Sequence, residues 1–233
     1  MSVRVICLSY PISVETPVYG NSPKPKIMPH KSIAAGDSCN TYTITVCNHT
    51  ATHLDAPAHF LPNGRRISDY SLEELTFRRP LLVDIPKGSG EWVEEENVKG
   101  AVKAKDVDCL LIRTGFWIFR GQDIYKTRNP GVSPEAILWL RRKLRRIRCI
   151  GMDSISISGF QDRPRGRRAH LAAFEKRKNS GEPLLFLEDM NLSALKAGAK
   201  IQKIMVVPWL ISGIDSAPCT VLAEVVDHER TST

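Results

Sequence analysis

His49-Thr50-Ala51-Thr52-His53-Leu54-Asp55-Ala56-Pro57-Ala58-His59-Phe60 puts three of the chain's six histidines and a carboxylate within twelve residues. Whether this stretch is a helix or two extended segments joined by a bend decides the architecture. On a helix His49 and His53 would share a face, but Asp55 would point away from both. The run before it, Tyr42-Thr43-Ile44-Thr45-Val46, alternates apolar and threonine positions and is rich in β-branched residues, so Thr41 to Val46 is expected to enter as a strand. Pro57 opposes a helix further on. Fully extended, His49 and His53 would stand about 13 Å apart at about 3.3 Å per residue, too far to share one cation. The chain must therefore bend at Thr50-Ala51-Thr52. Beyond the bend, His53 and Asp55 lie two apart on one face of an extended segment, where both side chains can converge.

Imidazole nitrogen and carboxylate oxygen suit zinc, manganese or iron, and the sequence does not choose among them. A single histidine at a strand end is usually a hydrogen-bonded structural residue; three around an aspartate form a metal site in outline. His59, past Pro57, is either a further ligand or an acid/base group facing a metal-activated water. Cys47 is a soft donor two residues before His49, with packing in the strand as its simpler role.

Outward from this cluster the order is mixed α/β. Val3 to Leu8, Leu81 to Ile85, Val107 to Arg113, Cys149 to Asp153, Leu184 to Leu187, Lys203 to Pro208 and Thr220 to Val226 read as strands. The clearest helix has Ser133 as N-cap, Pro134 at its first position and Glu135 at the positive end of its dipole. Its apolar positions Ile137, Leu140, Leu144 and Ile147 fall on one face. A second helix is expected near Arg168 with His170 on its first turn, and a third from an Asn191 cap to Gly198. Glu94-Glu95-Glu96 and Gly88-Ser89-Gly90 read as a surface loop. Glu188 closes a short buried strand, a placement that fits either a ligand on a rigid element or a buried ion pair. For His170 the alternative is an ordinary helix-surface histidine.

The pattern from His49 to Phe60 resembles the His-x-Gly-Thr-His-x-Asp-Ala-Pro-x-His-Phe motif of the cyclase family of metal-dependent hydrolases, which includes bacterial kynurenine formamidases and isatin hydrolases. Leu8 to Ile12, Arg113-Thr114-Gly115-Phe116, the Gly-x-Asp-x-x-Ser segment from Gly151 to Ser156, Ala169-His170 and Phe186 to Leu192 resemble further family segments in the same order. The resemblance implies one α/β domain over residues 1–233, a mixed sheet with flanking helices of the swivelling β/β/α type. It also implies His49, His53, Asp55, His170 and Glu188 as ligands of one or two divalent ions, Zn2+ or Mn2+, with His59 as the catalytic histidine. The implied activity is hydrolysis of a small amide, formamide or lactam, with metal-activated hydroxide attacking the carbonyl and His59 passing a proton to the leaving nitrogen. A homo-oligomer, a dimer, is implied as well. Four positions depart from the pattern: Ala51 replaces a glycine at the bend, Ser158 stands where an aspartate is common, residues 172–183 carry extra length, and Asp215-Ser216-Ala217-Pro218-Cys219-Thr220 lacks the glycine and arginine of the closing motif.

At 233 residues, 42% hydrophobic and 25% charged, the chain is long enough for one sizeable core. No apolar run approaches the roughly 20 residues needed to span a bilayer, and the first residues pass straight into a strand pattern, so no signal peptide and a cytoplasmic location are expected. Six scattered cysteines without a Cys-x-x-Cys pair read as buried thiols of a reducing compartment. Trp92, Trp117, Trp139 and Trp209 are candidates to line a pocket for an aromatic substrate, with core packing the default for most of them.

The net charge of +8 and the basic run Arg141, Arg142, Lys143, Arg145, Arg146, Arg148, followed by Arg163, Arg165, Arg167, Arg168, Lys176, Arg177 and Lys178, raise nucleic-acid binding as a second reading. The run lacks interleaved aromatics, and cations also complement a helix C-terminus, so a solvated basic face and a small-molecule substrate are preferred. A third reading is a metal binder of the same family that has lost hydrolysis, which Ala51, Ser158 and Thr220 would permit.

Overall fold

Side chains alternate across a strand, and here that alternation sorts the apolar residues into two layers. In the strand Cys109–Arg113, Leu110 and Ile112 face helices while Cys109 and Leu111 face other strands. The structure is a computed structural model describing residues 2–178 and 180–227. Its strands are β1 (Ser2–Cys7), β2 (Lys26–Lys31), β3 (Thr41–Thr45), β4 (His53–Asp55), β5 (Thr76–Phe77), β6 (Pro80–Asp84), β7 (Trp92–Val93), β8 (Cys109–Arg113), β9 (Gly131–Val132), β10 (Cys149–Met152), β11 (Leu185–Glu188), β12 (Lys200–Pro208) and β13 (Ser216–Asp227). The helices are α1 (Glu95–Ala101), α2 (Asp123–Thr127), α3 (Pro134–Lys143) and α4 (Arg163–Phe174).

The main sheet runs β5-β12-β13-β4-β11-β10-β8-β6, with β1 also paired to β13. β6, β8, β10 and β11 are parallel, whereas β4 is antiparallel to both its neighbours. The antiparallel end curls over the parallel end, so that Ile204, Val206, Val221 and Ala223 share a core with Leu111, Leu185 and Leu187. The sheet thus nearly closes into a barrel. Helices α1, α3 and α4 cover the opposite face, with Val98, Ile137, Leu140, Ala169 and Phe174 packed on Leu110, Ile112, Ile150 and Phe186. Each fully buried side chain of Leu or Phe size contributes about 1.5–3 kcal/mol. The result is the expected mixed α/β sheet with flanking helices.

Ser133 caps α3 by accepting a hydrogen bond from the Ala136 amide at 3.1 Å, and Pro134 sits in the first turn. The helix stops at Lys143; Leu144 and Ile147 are buried from the following turn. Three expectations about helices need correcting. The second begins at Arg163, not near Arg168, because Asp162 accepts from the Arg165 amide at 3.0 Å and Pro164 occupies the first turn; His170 therefore lies in its third turn. After Asn191 there is only a 3-10 turn, Leu192–Ala194, with no side-chain cap. There Arg113 Nη1 donates to the carbonyls of Leu192 and Leu195 at 3.3 and 2.6 Å, taking acceptors a helix would need. Residues Glu95 and Glu96 open α1, where acidic side chains favour the helix N-terminus, and so are not loop. The strand before the cluster, β3, pairs only with β2 in a separate hairpin.

The basic run is partly internal. Arg141 is buried and donates to the carbonyls of Ala172, Glu175, Ser180, Gly181 and Glu182, tying the end of α4 to the next loop. Arg148 donates to the Thr76 carbonyl at 3.0 Å and stacks over Phe77, while Arg146 pairs with Asp106 at 3.5 Å. All six cysteines are free, but Cys7 and Cys39 are exposed, so buried thiols describe only Cys109, Cys149 and Cys219. Among the described residues no helix is long and apolar enough to cross a membrane.

Candidate metal centre

The register of β4 sets the site. His53 lies opposite Glu188 and Asp55 opposite Phe186 on β11, and directly opposed residues share a face. His53, Asp55 and Glu188 therefore look toward the helix side of the sheet, while Leu54 enters the other core. The bend before β4 is made at Ala51, whose φ of 55° is the left-handed conformation that glycine adopts freely. Alanine there costs about 1 kcal/mol. Neighbours hold it: Thr52 Oγ1 donates to the Asp189 carbonyl at 2.6 Å and accepts from the Tyr10 amide at 3.0 Å, and the Thr52 carbonyl accepts from the Cys219 amide at 3.0 Å.

Helix α4 brings His170 onto this face, packed on Phe60, Phe174 and Phe186. Its approach depends on Gly166, where any Cβ would sit 2.4 Å from Ser158 Oγ. His170 Nδ1 lies 3.1 Å from both the Gly166 carbonyl and Ser158 Oγ. A carbonyl only accepts, so Nδ1 carries the hydrogen and Nε2 offers its lone pair, 3.7 Å from Glu188 and 3.9 Å from Asp55. His53 is fixed in the same sense by Nδ1 on the Ala51 carbonyl at 2.8 Å, leaving Nε2 3.3 Å from Glu188 and 3.5 Å from Asp55. Glu188 is anchored by donors from Ser156 Oγ at 3.0 Å and the Ile157 amide at 2.7 Å on one oxygen.

On the open side, His49 spans two carboxylates, Nδ1 3.0 Å from Asp55 and Nε2 3.1 Å from Asp215. His59 Nδ1 lies 2.7 Å from the same Asp215 oxygen, and Asn48 Nδ2 donates to the other at 2.9 Å. Asp215, 156 residues beyond His59, carried no role in the sequence reading. Its place in a weak closing motif was the one available signal.

The electrostatics match a cation-binding cluster. Burial would lower His49, but the Asp55 and Asp215 carboxylates raise it to about 11. Burial likewise opposes protonation of His53, and Asp55 with Glu188 overcomes it. Burial and Asp55 push Glu188 up, yet His170 and His53 bring it down to about 2. Asp55 and Asp215 are held well below the usual carboxylate range, the imidazoles outweighing burial in both. The cluster thus holds ionised carboxylates that demand positive charge.

Both oxygens of Asp55 and Nε2 of His53 are buried without a well-formed hydrogen bond. Such orphaned atoms are costly unless a cation satisfies them. Two donor sets, His49-Asp55-His59 and His53-Asp55-Glu188, each have ligand atoms within 4.8 Å of one another, and they share Asp55. His170 flanks the second set. The residues present fit a divalent ion, with nitrogen and oxygen donors of the kind zinc, manganese and iron accept. Cys47 belongs to neither set, though it lines the adjoining cavity of about 580 Å³. None of the four tryptophans lines that cavity; its aromatic wall is Tyr19 and Phe60.

The family model described as putative cyclase matches residues 6–158, which include the bend, β4 and Ser158. The chain belongs to the cyclase family. The kynurenine formamidase of Geobacillus thermodenitrificans is 31% identical over 125 residues, 53% of this chain and 56% of that enzyme. Isatin hydrolase A from Labrenzia aggregata superposes with a TM-score of 0.76 at 24% identity, over 97% of this chain and 94% of that one. A predicted metal-dependent hydrolase from Bacillus stearothermophilus superposes with a TM-score of 0.73 at 23% identity, over 96% and 99% of the two chains. Of the positions where this cyclase-family chain departs from the family pattern, Thr220 is exposed and Ser158 touches His170.

The Ser158 contact yields a prediction. Ser158→Ala removes one of two groups orienting His170, and such supporting contacts are worth about 10- to 100-fold in metal affinity. Because the Gly166 carbonyl remains, a loss of about tenfold is expected in competition with a chromogenic chelator, and an unchanged affinity would remove His170 from the ligand set.

Proposed function

We propose that this cyclase-family chain is a metal-dependent hydrolase of a small amide, formamide or lactam, with His49, His53, Asp55, His170 and Glu188 holding one or two divalent ions. The observation that carries this reading is the pair of buried Asp55 oxygens, neither in a well-formed hydrogen bond, beside a cavity lined by His49, His53, His59, His170 and Glu188. When bound, a divalent cation supplies Lewis acidity, lowering the pKa of water from about 15.7 to near 7 and polarising a carbonyl oxygen.

The chain's own residues supply the proton transfers. Asp215 accepts a hydrogen bond from His59 Nδ1 at 2.7 Å, which fixes the ring and leaves Nε2 as its free nitrogen. His59 Nε2 is then the atom that takes a proton from the attacking water and returns it to the leaving nitrogen. The bond from water oxygen to the acyl carbon forms and the C–N bond breaks, giving an acid and an amine from an amide or formamide, or one ring-opened amino acid from a lactam. Tyr19 and Phe60 exclude water from the cavity wall and suit a flat substrate.

The test is hydrolysis of formanilide and of isatin by protein stripped with chelator and then reloaded separately with zinc and with manganese. Activity on at least one substrate that vanishes on stripping and returns with metal is expected. Full activity in the stripped protein would contradict the reading, and inactivity of every loaded form would leave a metal binder without hydrolysis.

A further inference from the structure

Helix α4 does more than deliver His170. Arg163, Arg167 and His170 fall at i, i+4 and i+7, one stripe of the helix, and all three line the cavity above Asp55 and Glu188. Among the described residues neither Arg163 nor Arg167 forms an ion pair with a carboxylate. Arg165, on the other side of the helix, pairs with Glu94 at 2.8 Å and stacks over Trp92. Arg163 lies over Phe160 at 4.6 Å, and Phe160 meets Tyr19 edge-on at 5.3 Å. The Tyr19-Gly20 turn leaves room for this: a Cβ at Gly20, where φ is +58°, would meet Phe160 at 3.1 Å and Arg163 Nη2 at 3.5 Å. The cavity is therefore lined by the Glu188 carboxylate, by the aromatic rings of Tyr19 and Phe60, and by two guanidiniums that have no carboxylate partner among the described residues.

We infer that Arg163 and Arg167 form a subsite for an anionic group, and that the substrate is an aromatic amide bearing a carboxylate. This rests on the hydrolase reading above and adds the charge and orientation of the substrate. Glu188 in the lining and Asp55 behind it repel an anion, while Arg163 and Arg167 further along the helix attract it, so the amide carbonyl is turned toward the metal ligands. At about 1.5 Å per residue, Arg167 and Arg163 lie roughly 4.5 and 10.5 Å along the helix from His170, which brackets the separation of carbonyl and anion. A carboxylate para to an anilide nitrogen falls within that bracket. Guanidinium is the group suited to it, because its planar donors match both oxygens.

The test uses metal-loaded, full-length protein and two ligand pairs. Calorimetry compares 4-aminobenzoate with aniline, and kinetics compares 4-formamidobenzoate with formanilide. The carboxylated member of each pair is expected to be preferred. Arg163→Gln or Arg167→Gln should each weaken 4-aminobenzoate binding about tenfold and raise KM for 4-formamidobenzoate more than it lowers kcat, since the contact is made equally before and during reaction. Arg167→Lys should recover part of the loss. Equal binding of 4-aminobenzoate and aniline would overturn the subsite, as would carboxylate binding that neither glutamine variant weakens, which would place the anion on the metal. Arginine-dependent binding without hydrolysis of either formamide or of isatin would uphold the subsite and sink the hydrolase reading instead.

Discussion

Asp55→Asn is expected to lower metal affinity by more than about 100-fold and to abolish metal-dependent turnover with it. Contacts that only orient a ligand are worth about 10- to 100-fold, and Asp55 is the group both donor sets share. Asparagine keeps the shape of the side chain but removes the charge and one acceptor oxygen. No other described residue replaces either, because Glu188 already has one oxygen committed to Ser156 and Ile157. The fold is expected to survive, since Leu54 and the backbone pairing of β4 to β11 and β13 are untouched. Elemental analysis with circular dichroism checks both halves. A folded Asp55→Asn protein that retains stoichiometric metal would show that Asp55 is no ligand.

His59→Ala is expected to behave differently, keeping its metal while kcat falls by about 100-fold or more, the usual scale for a lost acid/base group. The expectation rests on geometry: although His59 belongs to the outer donor set with His49 and Asp55, it is half-buried, commits Nδ1 to Asp215 at 2.7 Å, and lies outside the buried His53-Asp55-Glu188 set that would hold the ion in its absence. Asp215→Asn should move in the same direction with a smaller loss, because an amide still reaches Nδ1 but holds the ring less firmly than the carboxylate does. Loss of metal from His59→Ala would make His59 a ligand, and unchanged turnover in metal-loaded protein would remove it from the mechanism.

Much of this site was legible in one dimension because its densest part is local. The two-residue spacing of His53 and Asp55 and the obligatory bend at Thr50 to Thr52 followed from strand geometry, and the structure makes that bend at Ala51 with a positive φ. Glu188 could be placed at a strand end because the buried run before it is short and apolar. The role of Asp215 was not legible, and Arg163 and Arg167 were visible only as part of a basic face, not as residues lining the cavity. Asp215 reaches His49 and His59 only because β13 crosses back beside β4, a pairing of high sequence separation that no local pattern encodes. The start of α4 was misplaced although Asp162 and Pro164 mark it, since the charged residues that follow mask the apolar period. Arg141 and Arg148 read as surface charge because sequence shows a guanidinium but not the carbonyls that draw it inside.

The central claim is a cation held by Asp55 between the two histidine sets. Anomalous diffraction from crystals grown with equimolar manganese or zinc tests it directly. The account predicts a peak bonded to Asp55, His53 and Glu188, with His170 closing on it and any second peak on the His49 side of Asp55. Crystals without anomalous density there, with the imidazoles still hydrogen-bonded to the carboxylates, would contradict it.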